Sequence, residues 1–199
     1  MRALLYKDLV VNRSTILSYL VLAVVVLLLP YVGGHWVFPL AITLVFPVAY
    51  LQQEHKEKWL QLAAVLPYSP WAVVGARYVV TALAGAIAAG CTLLKQFAFH
   101  GLAELLPALS QAVLVLALFL LLQGMFLPAI YALGPDRIVE IYFVYFGLIL
   151  VVVVLILSNI KFIILWFSAH PGVVLALGLA LFLVSLPVAV GRYARRGWG

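Results

Sequence analysis

The chain contains two long stretches without a single formal charge, from Ser14 to Gln53 and from Phe162 to Gly191. Over the whole chain, 67% of residues are hydrophobic and only 9% are charged, far from the roughly half-apolar composition of soluble domains. Runs of this length need lipid as their solvent, and a helix satisfies its own backbone hydrogen bonds there. The sequence therefore predicts an all-α polytopic membrane protein.

The apolar runs divide into six predicted transmembrane helices near the length of about 20 residues that crosses a bilayer. These spans are Ile16–Tyr31, Trp36–Leu51, Val73–Leu94, Ala108–Ala132, Ile138–Leu157 and Val173–Val190. Six spans place both termini on the same side of the membrane. Residues 1–199 are expected to form a single transmembrane domain.

The basic residues sort unequally between the two sides of this topology. Two of them, Lys95 and Lys161, fall on one side. The other side receives Arg2, Lys7, Arg13, Lys56, Lys58, Arg77, Arg137, Arg192, Arg195 and Arg196. The positive-inside rule makes the richer side cytoplasmic, which gives an N-in and C-in chain. Membrane orientation thus explains the net charge of +6 better than nucleic-acid binding does.

Several features of the outer half are predicted from composition. Gln96–Pro107 is expected to be a loop, and Lys95 just before it is expected to snorkel to the interface. Residues 158–170 are too apolar for a loop and too short to span, so they are predicted to lie in the outer interface or to dip partly into the membrane. The third span carries a face of small residues that should pack closely on another helix, within the chain or in a second subunit. They are Ala82, Ala84, Gly85, Ala86, Ala88, Ala89 and Gly90.

Motifs for catalysis, metal binding and nucleotide binding are missing from the sequence. There is no G-x-x-x-x-G-K-[ST] phosphate loop and no His/Cys cluster at metal-ligand spacing. No carboxylate falls at a predicted midplane, where proton-coupled carriers usually need one. The uncharged polar residue Gln123 is the candidate for a transport pathway. The others within spans should mostly bond to neighbouring helices, namely Thr43, Thr81, Thr92 and Ser185.

Two segments on the predicted cytoplasmic side have an amphipathic pattern. Residues 1–13 place Leu4, Leu5 and Leu9 on one helical face, which suits a helix lying flat at the interface. Residues 52–67 begin with a charged cluster and continue with apolar residues at helical spacing. This second segment is either an interfacial anchor or a docking element for a cytoplasmic partner.

The order of several short motifs resembles the small permease subunits of ABC-2-type ATP-binding cassette transporters. Lys7-Asp8-Leu9 is similar to the start of that family's N-terminal elbow helix. Its first cytoplasmic loop is similar to Glu54-His-Lys-Glu-Lys-Trp59, followed by Leu66-Pro-Tyr-Ser69 and Val74-Gly-Ala-Arg-Tyr78. Its second loop is similar to Leu127-Pro-Ala-Ile-Tyr131 with Gly134-Pro-Asp-Arg137. One departure is Pro70, where the family commonly has Arg or Lys.

This resemblance implies specific roles for the cytoplasmic segments. Lys7 and Asp8 would belong to the elbow helix, and residues 52–67 would form a coupling helix between spans two and three. The coupling helix would contact a separate ATPase through Glu54, Lys56, Lys58, Trp59, Leu62 and Leu66. A smaller second contact would involve Gly134, Asp136 and Arg137.

The resemblance also implies a function and partners. Two permeases, identical or different, would pair around a translocation pathway as part of an ATP-driven exporter in a prokaryotic cytoplasmic membrane. The chain itself would hold no cofactor and would not be an enzyme, because ATP and magnesium would bind the partner ATPase. Membrane lipids would surround the pair, and nucleic acid would play no part.

Two other functions remain open on the sequence. An integral-membrane enzyme acting on lipids would need a polar catalytic constellation near one interface. The nearest approach, Asp136, Arg137 and Glu140, contains no nucleophile–base pair. A non-transporting membrane anchor or regulatory partner would share all the bulk features of a permease. A mostly apolar pathway would fit lipids, peptides or hydrophobic drugs alike.

Overall fold

A computed structural model describes the chain over residues 68–100, 105–134 and 170–195. It also describes a set of single positions, namely Arg13, Leu17, Ser18, Val21, Gln53, Arg137, Glu140, Ile141, Phe143, Val144, Gly147, Trp166 and Ala169. The first, second and fifth predicted spans therefore lie almost wholly outside the described residues. The same is true of the elbow helix, the coupling helix and most of the outer segment 158–170.

Three long helices make up the described part of the chain. Helix α1 runs over Pro70–His100, α2 over Leu105–Leu133 and α3 over Pro171–Arg195. Each is long and apolar enough to cross a membrane, which confirms the third, fourth and sixth predicted spans. The predicted loop Gln96–Pro107 is wrong. Its first residues complete α1 and its last residues begin α2, so residues 101–104 alone separate the two helices.

Helix α1 begins earlier than its hydrophobicity indicates because Ser69 caps it. The Ala72 amide donates to the Ser69 hydroxyl at 3.2 Å, and the amides of Ala72 and Val73 donate to its carbonyl at 2.9 and 3.2 Å. Pro70 occupies the first helical position, where its missing N–H costs nothing. The Leu-Pro-Tyr-Ser element thus supplies the start of this helix.

The ends of α2 and α3 have equally local causes. The Gly134 amide donates to the Ile130 carbonyl at 2.8 Å, and Gly134 has φ of 100°, so it forms a left-handed cap that stops α2. Helix α3 begins with Pro171, and the His170 carbonyl accepts from the amides of Val173 and Val174 at 3.1 and 3.3 Å. Each helix also contains an internal proline, Pro128 in α2 and Pro187 in α3, which removes one backbone hydrogen-bond donor.

Small residues let the three helices approach closely. Gly85 of α1 lies against the ring of Phe119 on α2, where a side chain would collide with it. A Cβ on Gly124 of α2 would come within 3.0 Å of the Phe182 backbone nitrogen on α3. Of the predicted small-residue face, Ala84, Gly85 and Ala88 are buried and Ala86 is exposed. The prediction of close packing within the chain is thus confirmed at Gly85.

The contacts between the helices also fix their relative directions. Ala117 and Gly124 of α2 meet Gly178 and Phe182 of α3 in the same order along both helices, so α2 and α3 run parallel. Gly85 of α1 meets Phe119 of α2, whereas the later residue Gln96 bonds to the earlier residue Gln111, so α1 is antiparallel to α2 and hence to α3. The end of α2 and the start of α3 therefore lie at opposite ends of the bundle.

Much of the remaining surface of the three helices is apolar. Leu83 and Ile87 of α1, Met125 of α2 and Leu183 and Val184 of α3 are all more than half exposed. This surface is what a helix presents to lipid or to other apolar helices, because it needs no hydrogen-bond partner. The described bundle is therefore built as part of a membrane-embedded protein.

Candidate functional site

Polar side chains are buried in the interior of the described bundle, between helices that are otherwise apolar. Seven are buried among the apolar residues of the three helices, namely Arg77, Thr81, Thr92, Lys95, Gln96, Gln123 and Ser185. A buried polar group without a partner is costly in hydrocarbon, so each invites the question of where its hydrogen bonds go. The answers differ between the end of the bundle near His100 and Leu105, the centre, and the end near Leu133 and Arg195, and we call the two ends outer and inner after the predicted topology.

At the centre, a chain of hydroxyl groups joins α1 to α3. The oxygens of Tyr78 and Ser185 lie 2.9 Å apart, and the Ser185 hydroxyl donates to the Phe182 carbonyl at 2.8 Å. Because the serine proton is committed to that carbonyl, Tyr78 is the donor to Ser185. The Tyr78 ring also packs on the Phe182 ring at 4.8 Å between centroids. The prediction that Ser185 bonds to a neighbouring helix is confirmed.

Gln123 lies at the same central level but is not part of this chain. Its side chain is 1% exposed, and neither Nε2 nor Oε1 has a hydrogen-bond partner among the described residues. The neighbouring positions on its helix are apolar and equally buried, including Leu120, Phe126 and Leu127. The sequence singled out this glutamine, and the structure shows it to be a fully enclosed and unsatisfied carboxamide.

The outer end of the bundle carries a second polar group. The Gln96 carboxamide of α1 donates to the Gln111 carboxamide of α2 at 2.6 Å. Thr92 donates to the Ala88 carbonyl of its own helix at 2.9 Å, so its predicted bond to a neighbouring helix is wrong. The snorkelling predicted for Lys95 is also wrong, because its side chain is only 6% exposed and five further helical residues follow it.

The inner end collects tyrosines and basic residues. Arg77 directly precedes the central Tyr78, but its 2%-exposed side chain reaches back towards the start of α1, where Nη1 donates to the Val73 carbonyl at 3.1 Å. The rings of Tyr131 and Tyr193 meet edge to face, with centroids 6.0 Å apart. Arg192 and Arg195 occupy the last turn of α3, where cations complement the helix dipole.

The sequence-predicted site residues fall into two groups. Gln123, Gly134 and Arg137 are described: the first is buried, the second caps α2, and the third is exposed and donates its amide to the Gly134 carbonyl at 3.2 Å. The rest lie outside the described residues, namely Lys7, Asp8, Glu54, Lys56, Lys58, Trp59, Leu62, Leu66 and Asp136. Sequence reasoning gave Tyr78 no part in the polar interior, since its partner Ser185 is 107 residues away.

Three apolar helices with a partly polar interior define an α-helical integral membrane protein. The chain belongs to the ABC-2 family of transporter proteins, because the family model described as "ABC-2 family transporter protein" matches residues 3–191. This match confirms the resemblance to ABC-2 permeases over nearly the whole chain. No curated protein and no solved structure matches the chain.

Proposed function

We propose that this chain is the permease subunit of an ATP-driven exporter in a prokaryotic cytoplasmic membrane. The family match over residues 3–191 is the observation that carries the proposal. Two copies, or this chain and a related one, form the translocation pathway, and Gln123 contributes to it. A separate ATPase subunit binds ATP and magnesium, since the chain contains no phosphate loop.

The proposed topology has six spans with both termini in the cytoplasm. The parallel direction of α2 and α3 supports it, because one further crossing between Leu133 and Pro171 is what returns the chain to the other side. The distribution of charge supports the orientation. Arg77 lies near the end of α1 that meets α3 at Ser185, and Arg192 and Arg195 close α3 at that same end.

The proposed coupling to the ATPase uses two cytoplasmic segments. Residues 52–67 act as the main coupling helix, with Trp59 as its anchor and Glu54, Lys56, Lys58, Leu62 and Leu66 around it. Gly134, Asp136 and Arg137 provide a smaller contact directly after α2. The glycine cap at Gly134 supports this role because it ends the helix sharply at a fixed point. An elbow helix containing Lys7 and Asp8 lies along the inner interface.

Coexpression with an ABC ATPase tests the proposal. The candidate ATPase is the one whose gene lies beside that of this chain, and the readouts are copurification and ATP hydrolysis. We expect the chain alone to hydrolyse no ATP and the pair to copurify with activity. A complex that forms but moves no substrate out of vesicles would instead identify a regulatory partner, and hydrolysis by the chain alone would remove the permease function.

A further inference from the structure

Among the residues that the structure describes, Gln123 has a buried carboxamide that no hydrogen bond explains. It is 1% exposed, and both its amide nitrogen and its amide oxygen lack partners. Gln96 and Gln111, which also lie between α1 and α2, bond to each other at 2.6 Å. A buried amide without partners destabilises the fold, since it loses its bonds to water and gains none in return.

The position of Gln123 places it between all three helices. On the preceding turn of α2, Phe119 lies against Gly85 of α1, and the next residue, Gly124, lies against Phe182 of α3. Gln123 therefore occupies the sector of α2 between its two neighbours. Tyr78, Thr81 and Ser185 are buried at this level, and together with Gln123 we call them the central polar cluster.

Two hydroxyl protons of this cluster are committed to acceptors other than the Gln123 oxygen. The Tyr78 proton is directed to Ser185, and the Ser185 proton is directed to the Phe182 carbonyl. These two bonds link α1 to α3 and exclude α2. A leucine in place of Gln123 would match its buried neighbours Leu120 and Leu127, so packing gives no reason for an amide at this position.

The chemistry of a carboxamide limits what it can recognise. It offers a donor and an acceptor side by side and carries no charge, so its best complement is another uncharged amide that returns both bonds. Its neighbours on α2, among them Phe119, Phe126 and Leu127, are apolar and at most 2% exposed, and the central polar cluster carries no charge. A charged group would lose its hydration there without an opposite charge to replace it.

We propose that Gln123 is the polar contact for an uncharged amide group carried on an otherwise apolar transported molecule, such as a hydrophobic peptide. This inference rests on the permease function proposed above and names the substrate class of that site. The two unpartnered atoms of Gln123 acquire their hydrogen bonds from the substrate, when α2 moves relative to α1 or α3. Because these two atoms lack hydrogen bonds in the bundle without substrate, its free energy of unfolding is lower than it would be with an apolar residue at this position.

The first test compares two identical substitutions on one helix. Gln123→Leu removes an unsatisfied amide, whereas Gln111→Leu breaks the bond from Gln96. Thermal unfolding of the full-length chain in lipid nanodiscs is followed by circular dichroism. We expect Gln123→Leu to raise the midpoint by about 2–4 °C and Gln111→Leu to lower it. A lower midpoint for Gln123→Leu would mean that the amide is already satisfied at rest, and would overturn the proposal.

The second test uses a defined probe, N-acetyl-trileucine amide, with the uncapped zwitterionic trileucine as its matched comparison. We expect the capped peptide to raise the unfolding midpoint of the unmodified chain and of Gln111→Leu. The Gln123→Leu chain should need about tenfold more peptide for the same shift, the effect of one or two lost hydrogen bonds. Equal shifts in all three chains, no shift at all, or a larger shift with the uncapped peptide would each contradict the assignment.

Neither measurement needs an ATPase, so the two proposals can fail separately. If no ATPase copurifies with the chain, the permease function is wrong, whereas a selective shift by the capped peptide would still establish an amide site at Gln123. If the ATPase copurifies but the peptide shift does not depend on Gln123, the permease function stands and the substrate class is wrong.

Discussion

The hydroxyl of Tyr78 on α1 and the hydroxyl of Ser185 on α3 form a hydrogen bond of 2.9 Å, and its direction is fixed by the bond from Ser185 to the Phe182 carbonyl. The two ends of this link are therefore not equivalent. Removing the donor leaves Ser185 with a partner, whereas removing the acceptor leaves the Tyr78 proton without one inside the bundle.

This asymmetry predicts different costs for two conservative substitutions. Tyr78→Phe should destabilise the chain by about 0.5–1 kcal/mol, the value of one interhelical hydrogen bond. Ser185→Ala should lower the free energy of unfolding by about 1–3 kcal/mol, because the Tyr78 hydroxyl would stay buried away from water without an acceptor. Reversible unfolding of both variants in mixed micelles gives the two values, and the double variant should resemble Tyr78→Phe. A smaller loss for Ser185→Ala than for Tyr78→Phe would contradict the assigned direction.

The close contact of Gly85 with Phe119 predicts that any larger residue weakens the α1–α2 pair. Phe119 is fully buried and its ring occupies the space that a Gly85 Cβ would need, so Gly85→Ala should lower the free energy of unfolding by about 1–3 kcal/mol. Gly90→Ala is the matched control, since nothing lies within 4 Å of its Cβ, and alanine there should be neutral or stabilising by up to about 1 kcal/mol. Thermal unfolding in detergent compares the two, and similar midpoints would show that the ring can move.

The left-handed cap at Gly134 predicts a cost for any side chain at that position. With φ of 100°, Gly134→Ala should lose about 1–2 kcal/mol. Gly134→Asn should lose less, because asparagine tolerates this region better. Gly172→Ala, in the first turn of α3 with open space around its Cβ, should change stability little. If the Gly134→Ala chain unfolds at the same midpoint as the unmodified chain, the cap does not strain an alanine at this position.

A tryptophan substitution separates a coupling helix from an interfacial anchor. If residues 52–67 dock into an ATPase, Trp59→Ala should weaken its binding by about 2 kcal/mol or more, as buried tryptophans at interfaces do. Trp71, which is 55% exposed in the first turn of α1, is the matched control, and Trp71→Ala should leave binding unchanged. Affinity is measured by titrating ATPase onto permease in nanodiscs. Equal affinities for the two variants would contradict the role of Trp59 as an anchor and would favour the contact at Gly134, Asp136 and Arg137.

The proposed orientation predicts which side of the membrane two single cysteines face. In a Cys91→Ala background, Glu104→Cys should react with an impermeant thiol reagent on intact cells. Gln53→Cys should react after permeabilisation only, because the positive-inside rule puts it in the cytoplasm. Labelling is read by gel shift. Labelling of both positions on intact cells would show that the assignment of the sides is wrong.

The sequence was sufficient to predict the three described spans, since long uncharged runs have few other solutions. It was insufficient for their ends, because hydrophobicity fades at Lys95 while the helix continues and Gln96 bonds to Gln111. The signal for the start of α1 was present in Ser69-Pro70, a serine cap before a first-turn proline. The burial of Lys95 and the lack of partners around Gln123 depend on contacts between helices, which no local pattern encodes.

The bond between Tyr78 and Ser185 also constrains the order in which the protein is made. Its partners are separated by 107 residues, a stretch that a ribosome takes on the order of ten seconds to add. Helices α1 and α2 are therefore both complete before the acceptor of this bond is added to the chain. A chain that ends before Ser185 contains the donor of this bond without its acceptor, so the link between α1 and α3 can form only when synthesis is almost complete.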